Sequence, residues 1–201
     1  MSVKVAIVYY SATATLQGMA EHLEKAAAAE GAEVRRRHVR EIAPAEAIAS
    51  VPAWTRHVEA VRDEPVATPD DVVWADVVLL GSPTRFGNVT SQFQQFVDTL
   101  GPVWGKGLLA DKVYAGFTAS KTAHGGQEST LLSIYREVAH WGGIIVPPGY
   151  TDPIKFGDGN PYGVSHVSGP NGDDPLSDEV VAALEHLARR TIDVARRLAA
   201  T

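Results

Sequence analysis

The alternation of short apolar runs with stretches of helical periodicity limits this chain to few folds. Val3 to Tyr9 (VKVAIVY) is β-branched and nearly continuous, which suits a strand buried on both faces, as in a parallel sheet. Leu16, Met19, Ala20, Leu23 and Ala27 then recur at helical spacing, and Gly31 closes that helix. Val34 to Val39 alternates weakly and carries Arg35, Arg36 and Arg37, the pattern of a strand near a sheet edge. Asp76 to Leu80 reads as the third strand, ended by Gly81, and Gln92 to Leu100 as the next helix. Lys112 to Thr118 is expected as the fourth strand and Ile144 to Val146 as the fifth. Between them, Gln127 to Trp141 reads as a helix with Leu131, Ile134, Tyr135 and Val138 inward. Five strands alternating with helices predict an α/β fold, a doubly wound parallel sheet with right-handed crossovers. A length of 201 residues suits one domain, 1–201, with insertions.

Two stretches depart from the alternation. Residues 40–70 contain Pro44, Pro52, Pro65 and Pro69 and read as an insertion with one short amphipathic helix. Residues 147–175 contain six prolines, from Pro147 to Pro175, among many Gly, Asn and Asp residues. They read as a long irregular excursion, of the kind that in compact domains is functional or disordered. A last helix begins near Ser177, where Ser-Asp-Glu supplies a cap and an acidic first turn.

Composition then removes several classes of function. Without cysteine there is no disulfide scaffold, Cys-ligated zinc, iron–sulfur cluster or thiol nucleophile. The seven histidines show no ligand spacing, so no metal is expected. A net charge of −6 argues against nucleic-acid binding, which needs a basic face. No apolar run reaches the length of a membrane span, and the opening Met-Ser-Val-Lys-Val leads into a strand and not a signal peptide. The expected setting is cytoplasmic, away from the membrane.

In doubly wound sheets ligands sit beyond the carboxyl ends of the strands, so the loops after strands one, three and four are the candidates. The first, Tyr10 to Leu16, brings Ser11, Thr13 and Thr15 to a helix N-terminus, where the dipole favours an anion. It has neither a Gly-Lys-Ser/Thr signature nor G-x-G-x-x-G, and without Lys or Arg it suits a terminal phosphate monoester. The same hydroxyls are expected at any capped helix start, and both readings stand. The second loop, Gly81 to Asn88, offers backbone amides, Arg85 and the ring of Phe86. These could meet the edge and face of a flat heteroaromatic ligand, or form a tight turn with Phe86 in the core. The third, Thr118 to Glu128, contains Gly125 and Gly126, which allow close backbone approach. Alone it could equally be a flexible surface loop.

Particular runs of residues carry a resemblance. They are Val8-Tyr-Tyr-Ser11, Pro65-Val-Ala-Thr-Pro69, Gly81-Ser-Pro-Thr-Arg-Phe-Gly-Asn88, Gly101-Pro-Val-Trp-Gly105, His124-Gly-Gly-Gln-Glu128, Ile144-Ile-Val-Pro-Pro-Gly-Tyr150 and Pro161-Tyr-Gly163. In this order, across nearly the whole chain, they resemble the WrbA family of NAD(P)H:quinone oxidoreductases, once named tryptophan-repressor-binding proteins. The resemblance implies a three-layer flavodoxin-like fold with strand order 2-1-3-4-5, helices on both faces, and insertions at about 40–70 and 147–175. It implies noncovalent FMN, NADH or NADPH as co-substrate, a quinone as acceptor, a role in oxidative stress, and a homotetramer with a dimer as subassembly.

The implied cofactor residues are Ser11, Ala12, Thr13, Ala14, Thr15 and Leu16 for the phosphate, and Pro83, Thr84, Arg85, Phe86, Gly87 and Asn88 for the ring. Thr118, Ala119, Ser120, Lys121, Thr122, His124 and Gly125 are implied for the ring and ribityl chain, together with His140. Trp104, Phe86 and His140 are the implied substrate contacts. No side chain is named catalytic, because the flavin N5 carries the hydride. The family often has an aromatic residue in the first loop where this chain has Ala12 and Thr13, a departure that bears on nicotinamide-cofactor preference and not on FMN. The expected reaction is two-electron, ping-pong reduction of quinones through one site over the flavin. A flavodoxin-like electron carrier and a protein-binding adaptor are the alternatives, separable by quinone turnover and by flavin uptake.

Overall fold

The computed structural model describes residues 2–200. Its sheet runs in the order β2 (Glu33–His38), β1 (Lys4–Tyr9), β3 (Val77–Pro83), β4 (Val113–Ser120), β5 (Ile144–Ile145), every pairing parallel. The central strands are apolar on both sides because both faces are covered. Val5, Ile7 and Tyr9 of β1 pack into one buried cluster with α1 (Thr15–Ala29) and α9 (Asp178–Ala199). Their neighbours Ala6 and Val8 pack into the other, with α5 (Ser91–Asp98) and α7 (Gln127–Trp141). Each fully buried aliphatic side chain in these layers contributes about 1.5–3 kcal/mol. The arginine-bearing strand lies at the edge, where Arg36 pairs with Glu24 and Glu64, and Arg35 and Arg37 both reach Asp71.

The far edge differs from the expected single fifth strand. β5 has only two residues, paired with Val113 and Tyr114 at the lower half of β4. The upper half pairs with β6 (Val164–Val167), in the register Phe117–Val164 to Ser120–Val167. The sheet is therefore six-stranded, with one edge position shared by two short strands. Residues 147–175 are thus not wholly irregular: they contain α8 (Lys155–Asp158) and β6.

A buried Lys155–Asp158 ion pair, 2.5 Å long, and a bond from Lys155 Nζ to the Gly163 carbonyl fix this excursion. Burial pushes the Lys155 ammonium down and the Asp158 carboxyl up, each opposed by the other's charge. The 40–70 segment likewise holds more than one helix: α2 (Ala45–Ala49) and α3 (Pro52–Ala60), with α4 (Pro69–Trp74) at its end. The remaining short helix is α6 (Gly101–Trp104).

Candidate active site

At the carboxyl ends of the strands lies a cavity of about 440 Å³. Ser11, Ala12, Thr13, Thr15 and Leu16 line it from the loop after β1, and Pro83, Thr84, Arg85 and Phe86 from the loop after β3. Ala119, Ser120, Lys121, Thr122 and Gly125 come from the end of β4 and its loop.

The first loop leaves its backbone donors free. Ala14 takes a left-handed φ of 72° to start α1, and no side chain caps that helix. The Gly18 N–H is the first to be answered, by the Ala14 carbonyl at 2.9 Å. The amides of Thr15, Leu16 and Gln17 therefore point outward without a helical acceptor. Those of Ala12 and Thr13 also lack one among the described residues. Together with the hydroxyls of Ser11 and Thr13 they form a donor cluster on the positive end of a 15-residue helix, while Thr15 Oγ1 donates to the Gly172 carbonyl at 3.3 Å.

The second loop is built the other way. Arg85 and Asn88 exchange backbone hydrogen bonds of 2.8 and 3.0 Å, and the Gly87 N–H donates to Thr84 Oγ1 at 3.2 Å. Thr84 Oγ1 in turn donates to the Gly125 carbonyl and accepts from Thr130 Oγ1 at 2.9 Å. Gly126, at φ 94°, packs so closely that a Cβ there would lie 2.7 Å from Gly87 Cα. The turn forces Phe86 into the left-handed region at φ 53° and leaves its side chain fully exposed. Among residues 85–88, only the Phe86 N–H has no acceptor among the described residues. Both a strained backbone and an exposed ring are costly in water, which marks Phe86 as a residue with work to do at the cavity mouth.

Behind the first loop the 40–70 segment is clamped by Glu41. Its carboxylate accepts from Tyr10 Oη and Trp54 Nε1 at 2.7 Å, Gln92 Nε2 and Ala43 N at 2.8 Å, and Ile42 N at 2.9 Å. Burial pushes the Glu41 carboxyl up, but the donors outweigh it and hold it below the usual carboxylate range. Burial, reinforced by Glu41, pushes the Tyr10 phenol far upward. His57 of α3 is buried beside Ser11 in an adjacent cavity of about 430 Å³. Burial, then the charge of His38, holds its imidazole below the ordinary value.

Not every implied residue reaches the cavity. Ala14, Gly87 and Asn88 shape the turns without lining it. Thr118 is fully buried and donates to the Ser82 carbonyl at 2.7 Å, a bond between strands. His124 faces a neighbouring cavity with Asp158 and Asn160. Trp104 and His140 do meet, through Trp104 Nε1 and the His140 carbonyl at 2.9 Å, but at the last turn of α7. That is about 20 Å from the loop where α7 begins, at 1.5 Å per residue. Two lining residues were missed by sequence reasoning, Ser168 and Gly172. Pairing of β6 with β4 brings them in, with the Ser168 N–H donating to the Ser120 carbonyl at 2.8 Å. The Gly and Pro content of 147–175 was the only signal for them.

The cavity therefore suits a flat ring carrying an anionic tail: donors and a helix dipole at one end, tight backbone turns and Phe86 at the other. Among the described residues no cluster of His, Asp or Glu could hold a metal ion, and no helix is long and apolar enough to cross a membrane.

Residues 4–151 match the family model described as NADPH-dependent FMN reductase. A protein of Deinococcus radiodurans called NAD(P)H dehydrogenase (quinone) is 45% identical, over 98% of this chain and 97% of its own length. One of the same name from Syntrophobacter fumaroxidans is 39% identical, over 97% and 98%. Among solved structures, a WrbA-like flavodoxin from Agrobacterium tumefaciens superposes with a TM-score of 0.69 at 21% identity, covering 98% of this chain and 99% of that one. An archaeal flavodoxin superposes with a TM-score of 0.60 at 16% identity, covering 98% and 99%. Both structural likenesses concern the fold.

Proposed function

Because this chain belongs to the NADPH-dependent FMN reductase family, beside relatives named NAD(P)H dehydrogenase (quinone), we propose that it binds FMN in the cavity of loops one, two and three and uses NADH or NADPH to reduce quinones by two electrons. The observation that carries this reading is the unanswered donor cluster at the start of α1, facing the same cavity as Phe86. The hydroxyls of Ser11 and Thr13 and the first amides of α1, those of Thr15, Leu16 and Gln17, would hold the phosphate. Thr84 to Phe86, with Ala119, Ser120, Thr122 and Gly125, would hold the ring and the ribityl chain. FMN, when bound, supplies hydride acceptance and donation, which no side chain of this chain can provide.

What the chain itself contributes is placement and field. The Phe86 ring forms an apolar wall at the mouth and excludes water from one side. The Phe86 N–H, alone in its turn without an acceptor, is an oriented dipole available to stabilise negative charge on a reduced ring. The bond from Thr84 Oγ1 to Gly125 O keeps the second and third loops in one geometry, so the dipole does not reorganise during turnover. One mouth serves both substrates, and they use it in turn. Steady-state turnover of the FMN-loaded protein with NADH and benzoquinone is expected to give parallel double-reciprocal lines. Intersecting lines would sink the shared mouth.

Trp104 and His140 enter this reading only through a second copy of the chain, because α7 separates them from their own cavity. We therefore read the working form as a cytoplasmic homotetramer, with a dimer as subassembly. Light scattering at increasing protein concentration checks this, and a persistent monomer with full turnover would remove both residues from the substrate site.

A further inference from the structure

The first loop contains no cation, but the fold brings one to its anion-binding end from elsewhere. Lys121, in the loop after β4, lines the cavity and donates from Nζ to the Pro170 carbonyl at 3.0 Å. Its stem lies over Gly172, where an added Cβ would sit 3.3 Å from Lys121 Cε. The carbonyl of Gly172 accepts from Thr15 Oγ1 at 3.3 Å, and Thr15 is the first residue of α1. One turn, 170–172, thus ties the ammonium group to the start of the helix whose amides are unanswered. Among the described residues no ion pair includes Lys121, although Asp173 and Asp174 follow directly in the chain. Arg85, the other cation of the cavity, belongs to the loop after β3, the Phe86 side of the cavity, and donates to the Thr84 carbonyl.

We propose that Lys121 makes this cavity selective for a phosphorylated flavin over its unphosphorylated form. The inference rests on the reading of the cavity as an FMN site and adds a residue that acts on the phosphate alone. Hydroxyls and amides hydrogen-bond a phosphate but leave its second negative charge partly uncompensated. An unpaired ammonium within reach of the same end compensates it. Because Lys121 is exposed, its effect is screened by salt and moderate in size.

Fluorescence titration of the flavin-free full chain with FMN and with riboflavin, at low and at high salt, tests this. For Lys121→Gln, FMN affinity at low salt should fall about three- to fivefold while riboflavin affinity stays unchanged. Lys121→Arg should keep the FMN preference, and high salt should narrow the difference between wild type and Lys121→Gln. An equal loss for both flavins would overturn the proposal, since Lys121 would then only pin the 170–172 turn. No loss for either would overturn it too, leaving Lys121 as a surface charge. If the unsubstituted chain bound neither flavin, the proposed function itself would fall and this inference with it.

Discussion

The loops after β1 and β3 border the same cavity and spend their hydrogen bonds in opposite ways. The first leaves the amides of Thr15, Leu16 and Gln17 unanswered and starts its helix without a side-chain cap. The second satisfies itself through Arg85, Gly87, Asn88 and Thr84, and leaves over one N–H and one exposed ring. A site needs both kinds of loop. Free donors give affinity because a ligand completes them, and self-satisfied turns give a shape that does not change when the ligand arrives. Substitutions can damage either property separately, and their effects are ranked here by size.

The largest effect is expected for Gly126→Ala. Its φ of 94° and the Gly87 backbone at 2.7 Å leave no room for a methyl group, so about 3 kcal/mol of stability should be lost. Chemical denaturation measures this, and a loss under 1 kcal/mol would show that the two loops are not locked together. Next is Glu41→Ala, which strips acceptors from Tyr10, Trp54 and Gln92 and should cost about 2–3 kcal/mol.

The same clamp sets a pH dependence. The Glu41 carboxyl is lowered in the folded chain, so its contribution is present above the usual carboxylate range and is lost as pH falls through it. His57, also lowered, has the same sign by another route. The unfolded chain takes up that proton first, from about the ordinary value of 6.5 downward. Stability should therefore decline on acidification in two stages, and Glu41→Ala should abolish the lower one. An unchanged profile in that variant would detach Glu41 from the account.

Phe86→Gly separates fold from function at one residue. It relieves a left-handed φ of 53°, partly offset by the backbone entropy of glycine, and should raise stability by about 0.5 kcal/mol. It should also weaken flavin binding about tenfold through the lost ring contact. A stabilised variant with unchanged flavin affinity would show that Phe86 does not face the ligand. The smallest change is Ala14→Gly, where relief of φ 72° is offset by backbone entropy, for a gain of a few tenths of a kcal/mol. Thermal melting would register it.

Legibility in the sequence followed the strength of the physical signal. β1, β3 and β4 are near-continuous apolar runs because both their faces are covered, and that burial is what made them readable. The three lining loops follow from strand polarity alone. β6 was not readable: Val-Ser-His-Val is four residues between Gly163 and Gly169, and it becomes a strand only because β4 offers it an edge. Ser168, Gly172 and the Lys121–Pro170 contact depend on that pairing and were hidden with it. Trp104 and His140 stood in recognisable positions, but no local pattern could show that α7 carries His140 to its far end, where Trp104 of α6 meets it.

The most direct measurement is an anaerobic titration of the full chain with FMN, followed by NADH and then benzoquinone, reading flavin absorbance throughout. One FMN per chain should bind, NADH should bleach it, and benzoquinone should restore it within the turnover time. No uptake of FMN, or bleaching that benzoquinone does not reverse, would contradict the account.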